Sequence, residues 1–246
     1  MLSVLLLLGL FSCVTAEKAR KSDTRTDLGT AYLKEGNTPG AVEALRQAAA
    51  LNPQNATAWE RLGLAYMASD APEQAEDAFQ RAMRVGTMTE PARVHYNYGL
   101  LLLKLERNEE ALEQFNITLS DLTYRTPAKA LNSKGYTLYT MGRHDEAIET
   151  LTKAVQRAPK LCQARFHRGL SYQAKTKHSQ ALEDFESVIQ NCGEEATGAY
   201  YHAAMSLFPL GEDDAACTYL QTARRASESN EFTDQVLAAV QAECRP

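Results

Sequence analysis

Five cysteines and five histidines are the side chains of this 246-residue chain best suited to chemistry. Cys162, Cys192, Cys217 and Cys244 lie in the last third without any C-x-x-C pair. That spacing speaks against a zinc centre and leaves disulfides or buried thiols, with three pairings open to four cysteines. His95, His144, His167, His178 and His202 have no H-E-x-x-H, G-x-S-x-G or Gly-rich phosphate loop around them. His144-Asp145-Glu146 reads as polar turn residues, and His167 with His202 as a solvated pair lacking the carboxylate or third ligand that a metal needs. The expectation is a chain that is not an enzyme, with no catalytic residues, metal, cofactor or small-molecule substrate. Twenty-six Lys and Arg against 31 Asp and Glu give a net charge of −5, and no long basic run is present. Nucleic acid is therefore not an expected partner.

The elements that would position these groups emerge from internal periodicity. Small residues recur at Gly29, Gly63, Gly99, Gly135, Gly169 and Ala204, in steps of 34, 36, 36, 34 and 35. Ala41, Ala75, Ala111, Ala147, Ala181 and Ala216 follow each by 12, and Leu45, Phe79, Phe115, Leu151, Phe185 and Leu220 follow four later. The first two series suit a close crossing of two helix backbones, and the third supplies the knob that fills it. Pro53 and Pro159 stop second helices. This pattern resembles the tetratricopeptide repeat, which implies an all-α, right-handed solenoid of six tetratricopeptide repeats over 22–229. Residues 230–246 form the expected C-terminal capping helix, with Phe232, Val236, Leu237 and Val240 on its apolar face.

In antiparallel helix pairs, Cys162 opens the first helix of repeat 5 and Cys192 closes its second, so the two ends are neighbours. Cys217 and Cys244 relate repeat 6 to the cap in the same way. Bridges Cys162–Cys192 and Cys217–Cys244 are expected, in keeping with an oxidising compartment, with free thiols as the alternative.

The amino terminus has no charge before Glu17 and carries the apolar run Val4 to Phe11, too short to cross a bilayer. Leu10-Phe11-Ser12-Cys13 resembles a bacterial lipobox, which implies a signal peptide over 1–12, acylation of Cys13 (diacylglycerol and palmitate) and a lipidated linker over 13–21. An ordinary secretory signal cut near Ala16 is the alternative. Val14 after the cysteine favours the outer membrane.

In the tetratricopeptide family the first helices line a concave groove. The residues one and four places after each central small residue are Thr30/Leu33, Leu64/Met67, Leu100/Leu103, Tyr136/Tyr139, Leu170/Gln173 and Met205/Phe208. Tyr96, Phe166 and Tyr201 widen this mostly apolar stripe. A protein-binding groove is therefore expected at Leu64, Met67, Tyr96, Leu100, Leu103, Tyr136, Tyr139, Phe166 and Leu170. A two-carboxylate clamp for an acidic chaperone tail is not, because Glu60, Leu64 and Ser133 replace three of its polar residues although Asn97 and Lys129 match.

A lipidated amino terminus, six repeats and C-terminal cysteines together resemble the tetratricopeptide-repeat pilotin lipoproteins of type IV pilus systems. This is the PilF, PilW and Tgl group, with the Tgl branch nearest by repeat count and cysteines. The resemblance implies an outer-membrane lipoprotein on the periplasmic face that promotes assembly and localisation of the secretin, its partner. Two alternatives stay open: a scaffold lipoprotein of another envelope assembly, such as barrel insertion or cytochrome maturation, and a regulatory subunit of a secreted enzyme complex.

Overall fold

The computed structural model describes residues 2–85, 91–193, 197–226 and 233–244, with the side chains of 2–15, 226 and 233 outside the description. Among the described residues all regular structure is helical. The order is α1 (Leu2–Lys34), α2 (Thr38–Leu51), α3 (Ala56–Ala68), α4 (Pro72–Arg84), α5 (Pro91–Lys104) and α6 (Asn108–Ser120). There follow α7 (Pro127–Thr140), α8 (His144–Arg157), α9 (Cys162–Ala174), α10 (His178–Asn191), α11 (Thr197–Leu207), α12 (Asp213–Ala226) and α13 (Thr233–Glu243). A 3-10 turn at Phe208–Leu210 extends α11 and places Phe208 beyond the helix proper. No helix among the described residues is long and apolar enough to cross a membrane.

The chain divides into two compact units, Met1–Tyr124 and Arg125–Pro246. The first holds three helix pairs, α1/α2, α3/α4 and α5/α6, each pair packing on the next. The second holds α7/α8, α9/α10 and α11/α12 in the same succession, followed by α13 on α12.

One contact repeats through both units. At Gly63, Gly99 and Gly169 a Cβ would lie 2.7 Å from a ring carbon of Phe79, Phe115 or Phe185, and Gly29 and Gly135 meet Leu45 and Leu151 still more closely. All five knobs are fully buried, as is Leu220 in the sixth pair. The first helix must therefore be bare where the knob of the second presses on it. Seven residues after each central small residue the chain turns through a left-handed conformation, at Gly36, Asp70, Glu106, Gly142, Thr176 and Gly211, with φ between 53° and 78°. Three of these positions carry side chains, which the left-handed region disfavours. Pro53 and Pro159 fall just after α2 and α8, whereas Pro91 and Pro127 sit at the first position of α5 and α7, where the missing N–H has no helical partner to lose.

Two expectations need correction. Backbone 13–21, read as a linker, is helical and continuous with the first repeat helix. On α13, Val236 is fully buried and Val240 half-buried, but Leu237 is 39% exposed and points outward. Leu237 follows directly on Val236, 100° further round the helix, which carries it past the edge of the face that α13 buries. Phe232 lies outside the described residues.

Candidate protein-binding surface

The nine groove residues are all half-buried. In the first unit Leu64 and Met67 on α3 and Tyr96, Leu100 and Leu103 on α5 pack against one core cluster that includes Phe79, Tyr98, Leu101 and Phe115. The Tyr96 ring sits 6.0 Å from both Phe115 and Tyr124. Each of these side chains rests one flank on the core and leaves the other to solvent.

In the second unit the surface is aromatic. Tyr136 stacks on Tyr139 at 6.3 Å and meets the His167 ring, tilted, at 4.5 Å, and Tyr139 also meets His144 at 5.5 Å. Phe166 on α9 stands edge-on to Phe185, His167 and His202, while Leu170 joins Phe166 against the Phe185 cluster. Burial pushes the Tyr139 hydroxyl above its ordinary pKa. Burial also holds His167 and His202 down at about 4, so both rings are neutral at pH 7.

The two histidines depart from expectation. They are half-buried and each bonds a neighbouring first helix: His167 Nδ1 bonds Asn132 Oδ1 at 2.9 Å, and His202 Nδ1 bonds Gln173 Oε1 at 3.0 Å. Each bond joins a first helix to the next first helix in its unit. A third such rung lies in the first unit, where Glu60 on α3 is 0% exposed and takes a fork from Arg93 on α5 at 2.6 and 2.8 Å. Asn97 Nδ2 adds a bond to the same carboxylate at 2.8 Å. Glu60 and Asn97 are thus spent on each other, a firmer reason than repulsion for the absence of a carboxylate clamp. The partners are 29 to 37 residues apart and change position and chemical type from repeat to repeat, so no periodic series reveals these rungs.

The remaining chemistry is covalent. Cys162 is joined to Cys192 and Cys217 to Cys244, with Cα atoms 6.3 and 5.6 Å apart, both inside the usual range for a bridge. The Cys13 side chain lies outside the described residues. Among the described residues no group of three or more His, Cys, Asp or Glu is placed to hold a metal.

Tetratricopeptide-repeat profiles match residues 26–86, 72–123, 128–161, 163–193 and 198–226, nearly the whole span of the helix pairs. The chain belongs to the tetratricopeptide-repeat family. In sequence it is similar to the type IV pilus assembly protein PilF of Pseudomonas aeruginosa, 32% identical over 113 residues, a stretch covering 42% of this chain and 44% of that protein. In structure it is similar to P. aeruginosa PilF, with a TM-score of 0.77, 20% identity and coverage of 90% of this chain and 99% of the other. It is also similar to PilW, a widely conserved type IV pilus biogenesis factor, with a TM-score of 0.78, 22% identity and coverage of 88% and 98%. At that identity the structural likeness shows a shared tetratricopeptide fold.

Proposed function

We propose that this tetratricopeptide-repeat protein serves type IV pilus biogenesis as a pilotin. It is a non-enzymatic lipoprotein, anchored through Cys13 on the periplasmic face of the outer membrane, that promotes secretin assembly. The observation carrying this reading is the chain-wide fold likeness to PilF and PilW combined with a sequence match to PilF, where a general repeat scaffold would share the fold alone. The half-buried apolar rows supply the mechanism. A secretin segment destined to face lipid would aggregate if left in water, and rows such as Leu64, Leu100 and Leu103, or Tyr136, Tyr139 and Phe166, offer it uncharged cover. Neutral His167 and His202 add no positive charge to these aromatic rows.

The test is a Tyr136→Glu, Tyr139→Glu double variant. Each apolar anchor is worth roughly 1.5 to 3 kcal/mol on burial, so two lost anchors remove a micromolar complex. The expected result is normal accumulation and helicity with loss of secretin multimers. Full multimer formation by a folded, normally abundant variant would move the working surface elsewhere.

A further inference from the structure

The outer flank of the first helix pair differs from its counterparts. Leu28 stands one residue before the central small residue, as do Leu62 and Tyr98, yet it is 37% exposed where they are 3% and 6%. In the second and third pairs that position is covered by the preceding pair; among the described residues nothing covers Leu28. The cleft beside it is lined by Lys21, Thr24, Arg25 and Leu28 of α1 and Gln47, Ala50 and Leu51 of α2, two cations and no carboxylate. Charge on α1 is segregated around the helix. Lys18, Lys21 and Arg25 form one stripe at helical spacing that runs on into Leu28, whereas the exposed Asp23 and Asp27 lie on the other side together with Arg20. Glu17 borders the stripe and pairs with Lys21 at 2.6 Å, so the stripe keeps a net charge of +2 from three cations and one carboxylate.

Position adds the second argument. The α1 backbone is unbroken from Cys13 to the stripe, so Lys18 lies only about 7.5 Å along the axis, at 1.5 Å per residue, from the residue that would carry the lipid. A cationic stripe bordering exposed leucine, within two helical turns of the anchoring residue, matches the interfacial zone of a bilayer.

We propose that the α1/α2 flank bearing Lys18, Lys21, Arg25 and Leu28 docks on anionic phospholipid headgroups of the membrane holding the amino terminus. The phosphates meet the three cations, and Leu28 and Leu51 meet the upper acyl region. The proposal rests on the membrane-anchored reading above, and it makes the anchor a defined seat that fixes the orientation of the first unit.

Lysine acetylation footprinting of the protein purified from the envelope, mixed with vesicles, tests this. With phosphatidylglycerol-containing vesicles, Lys18 and Lys21 should react roughly fivefold more slowly or better, the factor expected per cation near an anionic surface. Phosphatidylcholine vesicles should give no such protection, and high salt should remove it. In a Lys21→Ser, Arg25→Ser variant, which changes only exposed side chains, protection of Lys18 should fall by a similar factor. Equal labelling with and without anionic vesicles overturns the proposal, as does equal protection by neutral vesicles. Protection by inorganic phosphate alone, or protection that grows with protein concentration in the absence of vesicles, assigns the flank to a free anion or a second copy and also overturns it. Mass measurement of Cys13 in the same preparation tests anchoring separately, so a protein without lipid whose lysines are protected leaves the flank standing while the anchor falls.

Discussion

His167 Nδ1 lies 2.9 Å from Asn132 Oδ1, so a ring on α9 and an amide on α7 hold two neighbouring first helices in register. The ring is neutral in the fold because burial depresses its pKa to about 4, and His202 is held in the same state. Unfolding restores an ordinary value near 6.5. Between those two pH values the unfolded chain binds more protons than the folded one, so stability falls as pH drops from about 6.5 towards 4. By pH 4.5 the loss should be on the order of 2 kcal/mol per histidine. Thermal unfolding at pH 7.5 and 4.5 measures it, and a His167→Gln, His202→Gln double variant should show a shallower pH dependence. Carboxylates held low by hydrogen-bonding partners, Glu76 by Tyr98 and Arg107 against its own burial and Asp145 by Lys175, lose their contribution only further down the scale.

Gly63→Ala should destabilise although alanine is the better helix former. The propensity gain is about 1 kcal/mol. Against it, the new methyl would stand 2.7 Å from the Phe79 ring, which is fully buried and has no room to retreat. Overpacking costs typically 1 to 3 kcal/mol, so a net loss of about 1 kcal/mol is expected. Adding Phe79→Leu should recover part of it, reproducing the pairing of Ala204 with Leu220 in the sixth repeat; denaturant midpoints decide.

Thr176→Gly should stabilise. Thr176 adopts φ 55° at the turn position where three of the six repeats place glycine. A left-handed residue costs about 1 to 2 kcal/mol and a β-branched one is the poorest candidate. The added freedom of the unfolded chain returns about 0.4 to 1 kcal/mol of that gain. A rise in Tm of a few degrees is expected, and the reverse change Gly142→Thr should lower it.

The helix pairs were legible because every one obeys the same local constraint: a small residue, then a knob 16 residues on, as in Gly99 and Phe115. The left-handed turn was equally periodic, but only Gly36, Gly142 and Gly211 advertise it, and Asp70, Glu106 and Thr176 conceal the phase. Contacts between neighbouring first helices were not legible. Glu60 with Asn97 and Asn132 with His167 occupy equivalent places yet share no residue type at either one, so no series reveals them. Groove residues could be placed on their helices from spacing alone. How much of each ring the core would take, as Phe115 takes one flank of Tyr96, depends on packing that periodicity does not encode.

Arg93→Ala should be among the most damaging single changes. It strips the fork from a carboxylate with no exposure to water, and removing one partner of a buried pair costs roughly 3 to 5 kcal/mol. Glu60→Gln combined with Arg93→Ala should be milder, because the residual group is then neutral and keeps Asn97 as a partner. Chemical denaturation of the two variants orders them.

The final prediction separates the two units through their crosslinks. Both bridges lie in the second unit, and Cys217–Cys244 pins α13 over the cluster of Ala204, Leu207, Ala216 and Leu220. With Val236 the only fully buried side chain among the described residues of α13, the helix is held by little apolar area of its own. A crosslink closing a loop of 27 residues contributes about 3 to 4 kcal/mol, comparable to what the cap gains from burial. In a Cys217→Ser, Cys244→Ser variant, α13 should therefore detach before the rest unfolds. Hydrogen exchange should show lost protection in α13, then in α11 and α12, with α1 to α6 unchanged. Non-reducing peptide mapping of the unaltered chain should recover both bridges. Uniform loss of protection across α1 to α13 would mean that the cap helix supports the whole chain rather than its own end.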